Sequence, residues 1–100
     1  MKELLEKLHR KTDSHKGENG KIAVIAGSRD YTGAPALSAK AALRTGSDLA
    51  KILTSEKVSQ TVAGYSENFI VGDYEGNYFS SESLEKAKNL ADWSDALVIG

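Results

Sequence analysis

The segment from Gly27 to Pro35 reads Gly-Ser-Arg-Asp-Tyr-Thr-Gly-Ala-Pro and holds the residue types best suited to gripping a ligand. Two glycines permit tight turns and close backbone approach. A helix starting just beyond them would offer unpaired N–H groups and the positive end of its dipole to an anion. That is the chemistry of a phosphate or ribose cradle. The spacing excludes two nucleotide fingerprints. Ala34 and Pro35 follow Gly33, so the segment is not G-x-x-x-x-G-K-[ST], and it does not fit G-x-G-x-x-G. Residue types alone leave open whether these glycines cradle a ligand or only shape a turn.

A second constellation, His15-Lys16-Gly17 with Gly20, places an imidazole and an ammonium beside flexible backbone. Contact with a ligand phosphate and a solvated lead-in loop both fit it. His9 reads as a helix-surface residue. The chain has 2 histidines and 0 cysteines, which excludes disulfides and thiolate metal sites and leaves no His spacing that names a metal. Asp48, Asp73, Asp92 and Asp95 sit in no motif that names a catalytic partner and read as exposed or capping. Trp93, Tyr65, Tyr74 and Tyr78 read as packing residues, because no basic stripe interleaves with them. No nucleophilic triad is supported.

The elements that would hold these residues follow from apolar periodicity. Leu4, Leu5 and Leu8 share a helical face, predicting a short amphipathic helix over 3–10, with a loop from Lys11 to Gly20. Lys21 to Ala26 (KIAVIA) is a continuous apolar run closed by Gly27, the pattern of a strand covered on both faces. Ala, Leu and Lys dominate Pro35 to Arg44 and predict a helix with Pro35 at its first position and Gly46 as its stop. Leu49 to Thr54 reads as a second strand, and Ser55 with Glu56 as the start of a short helix through Ala63.

Phe69 to Val71 and Tyr78 to Phe79 read as two extended pieces around a Glu75-Gly76-Asn77 turn. Leu84, Ala87, Leu90 and Ala91 share a face of a helix between Ser81 and Asp92, supported by a Glu82–Lys86 pair. Ala96 to Ile99 is another run of the buried-strand type. Helices alternating with short strands of this kind argue an α/β fold with a largely parallel sheet flanked by helices.

With 100 residues, 40% hydrophobic and 27% charged, the chain is sized for one modest core. Thirteen basic residues against fourteen acidic ones leave a formal charge of -1, which lacks the basic footprint of a nucleic-acid or anionic-membrane partner. The opening MKELLEKLHRK has no apolar targeting core, and no run approaches the roughly 20 apolar residues of a membrane span. A cytoplasmic protein acting on a small molecule is the expectation.

Residues 14–56, SHKGENGKIAVIAGSRDYTGAPALSAKAALRTGSDLAKILTSE, resemble the opening of the ADP-dependent NAD(P)H-hydrate dehydratases, a carbohydrate kinase-related branch of the ribokinase-like superfamily. The resemblance rests on H-K-G-x-x-G at His15 to Gly20, A-G-S at Ala26 to Ser28, Y-x-G-A-P at Tyr31 to Pro35 and A-A-L-R-x-G at Ala41 to Gly46. It departs at Ser47-Asp48-Leu49-Ala50, where many relatives carry A-G-L-V.

The resemblance implies a ribokinase-like fold and a lyase that dehydrates hydrated NADH or NADPH while hydrolysing ADP, or ATP in some members, with Mg2+. Phosphoryl transfer to the hydrate's hydroxyl would turn it into a good leaving group. Carried over by motif, Ala34 is the substrate contact, Gly33 and Tyr31 line the same pocket, and Lys16 is a looser assignment. The family's catalytic aspartate and nucleotide-binding half have no counterpart here. The expectation is therefore that residues 1–100 form the N-terminal part of one such domain, inactive alone. Homo-oligomers and fusion to, or cooperation with, an epimerase are further implications. Two alternatives stand beside it: a ribokinase-like kinase for a hydroxymethylpyrimidine, pyridoxal or a sugar, and a non-catalytic interaction module.

Overall fold

The computed structural model describes residues 20–100. The helix expected over 3–10, His9, and the His15–Lys16 lead-in lie outside the described residues. Four strands form one sheet: β1 (Lys21–Ile25), β2 (Leu49–Ser55), β3 (Ile70–Tyr74) and β4 (Ala96–Ile99). They run parallel in the order β3-β2-β1-β4. The helices are α1 (Gly33–Arg44), α2 (Ser59–Ala63) and, after a 3-10 turn at Ser81–Ser83, α3 (Leu84–Trp93). The parallel α/β architecture follows the apolar runs, since a strand covered by helices on both faces has no water-facing side on which to place polar residues.

Strand alternation sorts the core into two layers. Val24, Ala50 and Ile52 face α1 and α2, where Ala36, Ala39 and Val62 meet them. Ile25, Leu53 and Tyr74 face the other way and meet Ala87 of α3. Alanines at Ala36 and Ala39 let α1 lie close on β1 and β2, because a methyl adds little to the helix radius.

Several boundaries differ from the periodicity reading. α1 starts at Gly33, so Pro35 is its third residue. The substitution of position is tolerated because the third amide of a helix also lacks an internal acceptor. Ser55 closes β2 and does not open a helix: its hydroxyl donates to the Gly76 carbonyl and accepts from the Lys57 amide, and α2 begins only at Ser59. Between Phe69 and Phe79 there is one strand, not two. β3 runs through Asp73 and Tyr74, the chain bends from Glu75 to Tyr78, and Tyr78 and Phe79 form no strand. Lys86 donates to the Asp73 carbonyl at 2.6 Å in place of the expected pairing with Glu82.

The run Ala96 to Ile99 forms the expected strand. β4 pairs with β1, and its four residues are exposed, with no partner on its other side among the described residues. Trp93 also does more than pack. The Lys51 ammonium lies 4.2 Å and the Lys21 ammonium 5.7 Å from its ring centroid, within reach of the ring's negative face.

Candidate functional site

β1 delivers the Gly27–Pro35 segment to the carboxyl edge of the sheet. From β1 the chain winds outward through β2 and β3, then crosses back to place β4 on β1's other side. Such a reversal opens a crevice beyond the strand ends, where ligands of open α/β sheets bind. A cavity of about 320 Å³ lies there, bounded by Ile25 and Gly27 of the β1 end, Tyr74 and Phe79 beyond β3, Ala87 and Lys88 of α3, and Ile99 and Gly100 after β4.

The two loop glycines do different jobs. Gly27 has φ +87°, and a Cβ there would stand 2.6 Å from Thr54 Oγ1, 3.1 Å from the Tyr31 carbonyl oxygen and 3.2 Å from Pro35 Cγ. Backbone conformation and space both require glycine. Gly33 has no such need, since a Cβ there would meet nothing within 4 Å. Its missing side chain leaves open space directly over the start of α1.

Between them the loop folds back on itself. The Ser28 amide donates to the Tyr31 carbonyl and the Tyr31 amide to the Ser28 carbonyl, both at 3.1 Å, leaving Arg29 and Asp30 at the exposed tip. Thr32 precedes α1 without a side-chain cap; its hydroxyl lies 3.0 Å from the Tyr65 hydroxyl instead. The first helical turn therefore leaves the Gly33 and Ala34 amides without a partner inside the helix, and Pro35 has no amide to add. Basic Arg44 in the last turn complements the dipole at the opposite end.

Of the residues singled out from sequence, Tyr31, Gly33 and Ala34 come together at this exposed helix start, with Tyr31 72% exposed. Lys16 lies outside the described residues. Sequence reasoning missed the support that the 74–78 segment gives the loop. Tyr74 donates from its hydroxyl to the Gly27 carbonyl (3.2 Å), the Arg29 amide donates to the Asn77 carbonyl (3.0 Å), and the Tyr78 hydroxyl donates to Asp30 Oδ2 (3.3 Å). The aromatics read as packing residues thus carry polar contacts as well, and no local spacing announces contacts between segments so far apart. Burial pushes the Tyr74 phenol above its ordinary 10.0, so it stays a donor through the neutral range. Asp73 accepts from Ser59 and Asp95 from the Lys21 amide, structural duties for both.

A profile of the NAD(P)H-hydrate dehydratase family matches residues 22–100, from β1 to the end of the chain. The chain belongs to the NAD(P)H-hydrate dehydratase family. Over 98 residues it is 41% identical to a bifunctional NAD(P)H-hydrate repair enzyme of Methanothermobacter thermautotrophicus, covering 98% of this chain and 19% of that protein. It is 41% identical over 83 residues to an ADP-dependent (S)-NAD(P)H-hydrate dehydratase of Haloterrigena turkmenica, covering 83% of this chain and 32% of the relative. An ATP-dependent (S)-NAD(P)H-hydrate dehydratase of Puccinia graminis is 37% identical over 90 residues, covering 86% and 26%.

Among solved structures, a ribokinase-like superfamily protein from Enterococcus faecalis superposes with a TM-score of 0.74 at 24% identity, over 95% of this chain and 33% of that one. The fold is thus ribokinase-like. The chain spans between a fifth and a third of the curated relatives just named.

Proposed function

We propose that the protein carrying this chain dehydrates hydrated NADH or NADPH, coupled to hydrolysis of ADP or ATP, and that the Tyr31–Ala34 turn holds the hydrate. The observation that carries the reading is the α1 start. The Gly33 and Ala34 amides are unpaired within the helix, and the space over Gly33 is open, at the carboxyl edge of the sheet. Membership of a family whose matched relatives are named for this reaction supports the substrate class. The relatives' names include both ADP- and ATP-dependent enzymes, so either nucleotide is consistent with the reading.

This chain's share of the chemistry is alignment. Two backbone donors and a helix dipole suit the anionic parts of a dinucleotide, and Tyr31 and the open position over Gly33 let a planar group approach the backbone. The nucleotide supplies the phosphoryl group that makes the hydrate's hydroxyl a leaving group. Among the described residues no group of three His, Asp or Glu side chains could hold a metal ion, so Mg2+ is not assigned to any of them. Lys16 as a substrate contact, an epimerase working beside the dehydratase, and self-association belong to the same proposal.

The test is recovery of dihydronicotinamide absorbance from hydrated NADH by the full gene product, with ADP, ATP or no nucleotide. Nucleotide-dependent recovery is the expected outcome. No recovery by a folded, nucleotide-binding sample would reject the dehydratase and favour a small-molecule kinase on the same fold.

A further inference from the structure

The loop that presents Tyr31, Gly33 and Ala34 has little holding it from within. Its own bonds are the reciprocal Ser28–Tyr31 pair. Gly27, at its root, has a positive φ; the peptide that follows it is held on its N–H side by the Ser28–Tyr31 bond, which leaves its carbonyl side for a pin from outside the loop. That pin is Tyr74. Its ring is 2% exposed, packed with Ile25, Leu53 and Ala87 and edge-on to Phe79 at 5.6 Å, which fixes where the hydroxyl can reach. A phenylalanine would fill the same space, but only the hydroxyl bonds the Gly27 carbonyl.

The segment that follows is anchored in turn to the end of β2. The Glu56 amide donates to the Tyr74 carbonyl at 2.9 Å, the Gly76 amide to Glu56 Oε2 at 3.2 Å, and the Ser55 hydroxyl to the Gly76 carbonyl. β2 is an interior strand of the sheet, so the brace is rooted in the sheet and ends on the Gly27–Pro35 loop. Asn77 and Tyr78 then reach the loop tip at Arg29 and Asp30.

We infer that Tyr74 is a positioning residue of the hydrate site, its hydroxyl setting the plane of the Gly27 peptide and thereby the turn that presents Tyr31, Gly33 and Ala34. The inference rests on the dehydratase reading for what the turn binds, and on geometry alone for what Tyr74 does to the turn.

Tyr74→Phe in the full gene product separates the two. The KM for hydrated NADH should rise roughly three- to tenfold, the span of one lost neutral hydrogen bond, with kcat within about twofold, since the hydroxyl touches loop backbone and not the reacting atoms. Amide exchange at Arg29 and Tyr31 should quicken. Leu43→Ala, packed on the core in the last turn of α1 and so at the end of that helix opposite the loop, is the control for general loosening: it should lower Tm without moving KM. An unchanged KM in Tyr74→Phe, or an equal rise in Leu43→Ala, overturns the inference. If the parent enzyme recovers no dihydronicotinamide, the dehydratase reading fails. The exchange experiment then decides Tyr74 by itself, with quicker exchange supporting the brace and unchanged exchange overturning it.

Discussion

Gly33→Ala and Gly27→Ala make the same chemical change in one loop and should have opposite consequences for stability. At Gly33 the added methyl enters open space on a helical backbone. The unfolded chain loses freedom, and the folded state should gain about 0.5 kcal/mol. With an unfolding entropy of about 0.2 kcal/mol/K for a chain of this size, that is a rise of roughly 2–4 °C in Tm. At Gly27 the methyl would overlap Thr54 Oγ1 at 2.6 Å on a φ of +87°. The backbone penalty of about 1 kcal/mol and an overpacking cost of about 1–3 kcal/mol together lower Tm by roughly 10 °C or more. Thermal melts of the two variants measure this directly. The hydrate KM supplies the second half: Gly33→Ala should weaken binding at least about tenfold, which corresponds to about 1.4 kcal/mol, despite the higher Tm. A Gly33→Ala variant that melts as low as Gly27→Ala refutes the steric reasoning. One that binds hydrate as well as the parent refutes the assignment of the α1 start as the ligand surface.

Thr54→Val removes a fully buried hydroxyl that has no hydrogen-bond partner; it should stabilise the chain by about 1 kcal/mol, and a fall in Tm would show that the hydroxyl is satisfied after all. Because burial raises the Tyr74 phenol, the folded state holds its proton more tightly than the unfolded chain does. That stabilisation is intact below pH 10.0 and is lost as pH climbs through the raised folded value. Melts in alkaline buffers should therefore show a decline in the parent that Tyr74→Phe lacks. Lys51→Met removes the closer of the two cations over Trp93, the chain's single tryptophan. It should shift the tryptophan emission and cost about 0.5–1 kcal/mol, whereas unchanged emission would place the ammonium elsewhere in solution.

Much of this molecule is local. The apolar run KIAVIA announces a strand covered on both faces, the Ala-rich stretch after Pro35 announces a helix able to lie close on a sheet, and the Y-x-G-A-P turn at Tyr31 to Pro35 is one of the motifs that resemble the family. These properties are legible because side-chain periodicity and small-residue content act over neighbouring positions. Other features depend on segments that meet only after folding. Gly27 and Gly33 look alike in sequence. Thr54, Tyr31 and Pro35 closing on one, and nothing on the other, decide that the first must be glycine and that the second has open space beside it. Tyr74 and Tyr78 read as packing aromatics until β3 brings their hydroxyls to Gly27 and Asp30. Ala96 to Ile99 announces a strand by its apolar run, yet that it lies against β1 and not beside β3 is a property of the sheet's crossover and not of the run itself.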